Sequence, residues 1–405
     1  MAFFYENNRL KIGTPDASAD VESLARSRTA GPVYIYDLDD VERRFQAMNK
    51  ALGDVRHTIH YAMKANSHPA ILAKFASLGA GADTVSGGEI KRALEAGIPA
   101  SRIIFSGVAK TVAEIEFALK NKIKQINVES PQELERIAEV AERLGSRADV
   151  AFRLNPDVNP QTHPYITTGF RENKFGMDES FMPELVAILK SHSDHLKLRG
   201  LTMHIGSLLF DLGVFREAIT KTIAIHRQFV AQGFPLDRLD IGGGLGIRYE
   251  TEDASSEFSM MQAYGTMVRE LIKDLNVELL TEPGRILVAR AGLLVGEVQY
   301  IKPTTNKTFA ILDTGMHHLL RPALYSAKHR VLPVVAGVGK PNRYDIVGPI
   351  CESSDFLAKD VELAPLKAGD LVAMADAGAY GFSMASRYNS HDLPQEIVVS
   401  QAKPL

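Results

Sequence analysis

Cysteine is almost missing from this chain: among 405 residues only Cys351 carries a thiol. One cysteine excludes an intrachain disulfide and any metal cluster built on thiolates, and it fits a reducing, cytoplasmic location. No metal is expected. An excess of one charge sign is missing too. Lys plus Arg is 46 against 49 for Asp plus Glu, a formal net charge of -3, so neither nucleic acid nor an anionic membrane is expected as partner. No window approaches about 18 uninterrupted apolar residues, so nothing is expected to span a bilayer. The opening residues Met1 to Glu6 lack a basic stretch followed by an apolar one, and no secretory signal is expected. What is present is ordinary for a globular protein of about two domains, with 45% hydrophobic and 23% charged residues.

Short apolar runs alternate with amphipathic helical stretches through most of the first 285 residues. Eight runs read as strands: 58–64, 82–86, 102–106, 125–129, 149–154, 199–205, 237–242 and 277–282. Between the fourth and fifth, Leu134, Ile137, Ala138, Ala141 and Leu144 recur at helical spacing, behind the capping-box pattern Ser130-Pro131-Gln132-Glu133. Eight strand–helix units predict a closed parallel (β/α)8 barrel of the TIM type over 38–285; an open doubly wound sheet is the alternative. Residues 1–37, which end in the strand-like Val33–Tyr36, together with 286–405 predict a second, mostly β domain of sandwich or barrel-like form. There, 292–301, 308–313, 343–347 and 370–375 read as strands. The segment 155–176 is long for a barrel connection and reads as a lid.

Functional residues of a parallel barrel collect where its strands end. Lys64 ends the apolar run 58–63 in the hexapeptide Tyr61-Ala62-Met63-Lys64-Ala65-Asn66. An ammonium stripped of water there would lose its proton readily and serve as a nucleophile toward a carbonyl. A lone lysine at a strand end more often snorkels into solvent. Its company favours chemistry: Asp83, Arg153, His204, the glycines 242–244 and Glu282 all fall at equivalent strand ends. Gly242-Gly243-Gly244-Leu245-Gly246 suits a phosphate cradle, although glycine runs also make tight turns. His204-Ile205-Gly206-Ser207 offers a flat imidazole and a hydroxyl. Glu282 could pair with a pyridine nitrogen, Gly284 leaves its amide accessible, and Arg285 could hold a carboxylate; a surface ion pair is the plainer reading. In the second domain, Arg321 and Tyr325 could fix an anionic group, Glu352 an amine, and Cys351 could deliver a proton.

In this order, the blocks resemble the fold type III pyridoxal-phosphate decarboxylases. They are YAMKAN (61–66), GADTVSGGE (81–89), FRLNP (152–156), THPYITTGFRENKFG (162–176), HIGS (204–207), GGGLG (242–246), EPGR (282–285), RPALY (321–325), CES (351–353) and GAY (378–380). Leu208 departs from the pattern, which often has glutamine after HIGS.

That resemblance implies pyridoxal 5'-phosphate as cofactor. It makes Lys64 the lysine that binds it covalently, Glu282 the partner of its ring nitrogen and His204 the residue stacked on its ring. Ser207, Gly243, Gly244, Gly284, Arg285 and Tyr380 would surround the phosphate. Arg285, Arg321, Tyr325, Glu352 and Tyr380 would bind substrate, with Cys351 as proton donor. The implied assembly is a homodimer in which Cys351 and Glu352 come from the second chain. The implied reaction removes carbon dioxide from the D-centre of meso-diaminopimelate and leaves L-lysine, the last step of lysine biosynthesis. A decarboxylase of ornithine, lysine or a carboxylated polyamine is the enzymatic alternative, and a non-catalytic cofactor-binding regulator is the other.

Overall fold

The structure is a computed structural model that describes residues 2–27, 31–158 and 174–405. Most of the proposed lid and most of the 162–176 block therefore lie outside the described residues. The chain divides into two compact units. One comprises 46–246 and 257–284; the other comprises 1–45, 247–256 and 285–405.

The first unit is the expected barrel. Its eight parallel strands are His57–Ala62, Gly81–Thr84, Ile103–Phe105, Gln125–Val128, Ala148–Leu154, Leu196–Met203, Arg238–Asp240 and Glu278–Thr281. The last pairs with the first, Leu279 opposite His57, and closes the sheet. All eight fall within the apolar runs or overlap them by several residues. Strands buried on both sides read as short continuous hydrophobic runs, which is why they stand out in the sequence.

Side-chain caps start several of the intervening helices, at His68, Ser86, Thr111, Ser130 and Asp211. Thr111 and Glu114 form a full reciprocal capping box at the head of Val112–Lys120. The box expected at Ser130 is only half made. Ser130 Oγ accepts the Glu133 amide at 3.2 Å, but the Glu133 carboxylate turns away to the Glu129 amide and the buried Lys110 ammonium. The charge-assisted bond to the buried Lys110 holds that carboxylate away from the Ser130 amide.

The amino-terminal ends of the strands are closed by ion pairs. Lys124 bonds Glu278 at 2.8 Å, and Arg199 and Arg238 share Asp149. That leaves the carboxyl ends for chemistry.

The second unit is mostly β. Gly292–Pro303 is its spine, pairing with Val33–Asp37, Leu371–Met374 and Thr308–Leu312. A register shift between Val298 and Tyr300 bends this strand so that it can serve several partners. A three-stranded antiparallel sheet, Phe3–Glu6, Arg9–Thr14 and Ala17–Asp20, adds Leu10 and Ile12 to a core with Val33, Ile35, Leu293 and Val295.

Candidate active site

In the barrel unit, the first strand stops at Ala62 and one tight turn, Met63–Ala65, carries Lys64 beyond the sheet. Its Nζ lies 3.4 Å from Oδ2 of Asp83, at the end of the next strand. The lysine side chain is 38% exposed, whereas that of Asp83 is fully buried. The turn places the ammonium at the mouth of the barrel, beside the Asp83 carboxylate. Asp83 is fixed from below. Ser106 Oγ donates to its Oδ1 at 2.7 Å and in turn accepts from Asn127 Nδ2 at 3.0 Å.

Glu282 follows the last strand and is buried. Burial pushes its carboxyl well above the usual range, and the negative charges of Asp240 and Asp83 add to the effect. Asp240, also fully buried, is pushed up to about 7 by burial and then by Asp83. Buried together, the carboxyls of Asp240 and Glu282 each hold a proton more tightly than a free carboxyl does. The site thus favours a cation, or a proton held on the carboxyls.

His204 stays neutral. Burial lowers it well below its ordinary value, and the nearby charges of Lys64 and Arg153 act the same way. Its Nδ1 accepts the Gly243 amide at 3.3 Å, which leaves the proton on Nε2. Arg153 is held by Glu129 at 2.6 Å, and Glu129 also takes the Gly176 amide at 2.8 Å.

The glycine loop is a cradle that side chains would fill. A Cβ on Gly243 would lie 2.1 Å from the Glu282 carbonyl oxygen; one on Gly244, whose φ is +119°, would lie 2.6 Å from that of Gly206. The loop is stitched to the His204–Ser207 turn, since Leu209 donates to the Gly244 carbonyl and Gly246 donates to that of Leu209. Leu208, between them, has φ 66°. A residue without side-chain polarity in the left-handed region costs strain, and nothing in the structure explains its choice. Gly284 packs so closely that a Cβ would touch Ala62 and Ala65 at 3.1 Å. A lysine amine at a rim, a flat neutral imidazole, a buried acid and a glycine cradle suit an aromatic aldehyde phosphate with a ring nitrogen. These residues fit pyridoxal phosphate.

In the second unit, Arg285, Arg321 and Tyr380 gather around Tyr249. Arg285 Nη1 donates to Tyr249 Oη at 2.8 Å, and its guanidinium lies 4.6 Å from the Tyr380 ring centroid. Arg321 stacks over the Tyr249 ring at 4.3 Å. Both arginines are buried. Tyr325 closes the short helix Arg321–Tyr325. Cys351 and Glu352 lie elsewhere, on an exposed loop. Asp355 braces that loop by accepting the Met316 and Ile350 amides, each at 2.6 Å. Hydrogen bonds from Tyr388 and then Ser354 lower Glu352 below its ordinary value. The Cys351 thiol is free and exposed.

Residues 38–289 match the family described as the pyridoxal-dependent decarboxylase, pyridoxal binding domain. The chain is 43% identical to the diaminopimelate decarboxylase of Pseudomonas aeruginosa over 95% of this chain and 92% of that protein. It is 41% identical to that of Aquifex aeolicus over 91% and 86%. The chain belongs to the diaminopimelate decarboxylase family. Its fold is similar to the crystal structure of the Helicobacter pylori diaminopimelate decarboxylase complexed with L-lysine, with a TM-score of 0.88 and 41% identity over 93% of each chain. It is less similar to lysine decarboxylase from Selenomonas ruminantium, with a TM-score of 0.82 and 27% identity over 94% and 95%. No helix among the described residues is long and apolar enough to cross a membrane.

Four residues outside the sequence motifs contact the expected ones, two within each unit. Asp240 and Glu129 act on Glu282 and Arg153, and Tyr249 and His329 act on the arginines. Asp240 had a weak signal in its position two residues before the glycine run. The other three have no local signature.

Proposed function

We propose that the protein decarboxylates meso-diaminopimelate at its D-centre with pyridoxal phosphate, yielding L-lysine and carbon dioxide. The observation that carries this reading is the ring of Lys64, Asp83, His204, Asp240 and Glu282 at the carboxyl ends of the barrel strands. Family membership supports it, as does the buried arginine pair of the second unit. Pyridoxal phosphate, when bound, supplies the electron sink for the pair left behind as carbon dioxide departs.

Lys64 would hold the cofactor by its amine. Glu282 would hold a proton toward the ring nitrogen, helped by the negative field of Asp240 and Asp83. His204 would cover one ring face. Ser207, Gly243, Gly244, Gly284, Arg285 and Tyr380 would receive the phosphate.

Arg285, Arg321 and Tyr325 would bind the carboxylate that stays on the substrate, with Tyr380 beside it. Glu352 would bind the distal amine, and the Cys351 thiol would deliver a proton to the reacting carbon. Both lie on an exposed loop, which favours a homodimer in which the partner subunit's Cys351 and Glu352 complete each site. A cytoplasmic enzyme fits the lone exposed thiol.

A buried guanidinium pair suits a substrate with a second carboxylate. Ornithine has none to offer it. The test is to incubate protein loaded with cofactor with meso-diaminopimelate and, separately, L-ornithine. The expected result is carbon dioxide and L-lysine from the first and nothing from the second. Turnover of ornithine would overturn the roles given to Arg285, Arg321 and Glu352.

A further inference from the structure

Arg321 is buried, yet among the described residues it forms no ion pair: its neighbours are an imidazole and a phenol ring. The helix that carries it ends at Ser326, whose left-handed backbone (φ 52°) turns the chain back and returns His329 to the arginine. His329 Nε2 lies 2.6 Å from Arg321 Nη1, and its Nδ1 lies 2.8 Å from the Ala375 carbonyl oxygen.

Only one tautomer satisfies both contacts. A carbonyl oxygen can only accept, so Nδ1 carries the hydrogen. A guanidinium nitrogen can only donate, so Nε2 offers its lone pair. Burial, and then the Arg321 charge, push the imidazole down to about 3, so it is neutral across the physiological range. The ring also packs edge-on against Tyr249 at 5.0 Å. Tyr249 thus lies against the guanidinium, and His329 anchors one of its nitrogens.

We propose that His329 is a positioning residue for substrate selection. Its neutral imidazole holds Arg321 so that the remaining N–H groups present a fixed fork to the carboxylate retained in the product. The inference rests on the reading above that Arg321 binds that carboxylate. A planar fork recognises a carboxylate only when its rotation is set, and a guanidinium loses little further freedom when already oriented.

L-lysine keeps the carboxylate, whereas 1,5-diaminopentane is the same molecule without it. Binding of both to the cofactor-loaded enzyme therefore isolates the Arg321 contact from the chemistry. His329→Asn keeps a donor where Nδ1 sits but removes the acceptor for Arg321. His329→Gln returns a polar atom to the Nε2 position. The expected result for H329N is L-lysine binding weakened by about 10- to 100-fold, as for a lost hydrogen bond to a charged group. Diamine binding should change by less than about 3-fold, and KM for meso-diaminopimelate should rise more than kcat falls. H329Q should recover most of the L-lysine affinity.

Equal weakening of both ligands by H329N would mean a merely structural histidine and would overturn the proposal. So would an H329Q enzyme that binds the diamine normally but L-lysine as poorly as Arg321→Lys. If R321K itself leaves L-lysine binding unchanged, the reading of Arg321 as the carboxylate ligand fails, and the role of His329 fails with it.

Discussion

Lys64 and Asp83 meet across the ends of two adjacent barrel strands, with Nζ 3.4 Å from Oδ2. The carboxylate is buried and braced by Ser106, while the lysine is partly open to solvent. The fixed member of the pair is the acid, so it is the acid that aims the amine. Lys64→Ala should abolish absorbance near ~420 nm in protein loaded with cofactor and lower decarboxylation by about 10²–10⁴-fold or more. Asp83→Asn should keep the absorbance and lose part of the rate. Spectra and initial rates check both; a K64A protein with unchanged absorbance would remove Lys64 from its role.

Asp240 and Glu282 predict a pH dependence of the cofactor-free protein. Asp240 is raised to about 7 by burial, so the folded state keeps a proton that the unfolded state releases near its ordinary value. Its stabilising effect is complete below that ordinary value and is lost as pH rises toward 7. Asp240→Asn keeps an acceptor for the Gly242 amide, which bonds Asp240 Oδ1 at 2.9 Å, but removes the titration. Melting curves should show D240N gaining on the wild type between pH 5 and 8. A constant difference would show that Asp240 does not hold the proton.

Gly243→Ala places a methyl group 2.1 Å from the Glu282 carbonyl oxygen. Two backbone segments must separate, because neither neighbour is a flexible side chain. The expected cost is about 1–3 kcal/mol of stability, together with weaker cofactor binding. Denaturation and cofactor titration measure the two. Unchanged cofactor affinity would take the glycine loop out of the binding site.

The exposed Cys351–Glu352 loop predicts complementation between inactive chains. K64A and Cys351→Ala should each be inactive alone. Mixed under conditions that exchange subunits, they should recover roughly a quarter of wild-type activity, since half the dimers are mixed and each carries one intact site. No recovery from mixed dimers would place Lys64 and Cys351 of one chain in the same site.

Each barrel strand is legible because a strand buried on both faces must be apolar, while the helix beside it must show a 3.6-residue period. The run 149–154, for instance, falls within the strand Ala148–Leu154 and carries Arg153 one residue before its end. Lys64 was legible as a strand-end lysine, but its pairing with Asp83 was not, because that depends on the turn Met63–Ala65 and on the neighbouring strand. Glu133 looked like half of a capping box, yet it serves Lys110, which is distant in sequence and adjacent in space. Tyr249 and His329 gave no signal, because their roles consist of contacts to arginines 36 and 8 residues away.

The strand–helix alternation and the family thus follow from local pattern and motif, where each residue's preference is set by its immediate neighbours. Barrel closure, the crowding of Asp240 against Glu282 and the tautomer of His329 were decided only by the tertiary structure. Electrostatic energy and hydrogen-bond direction depend on distances of a few ångströms between residues that lie far apart along the chain.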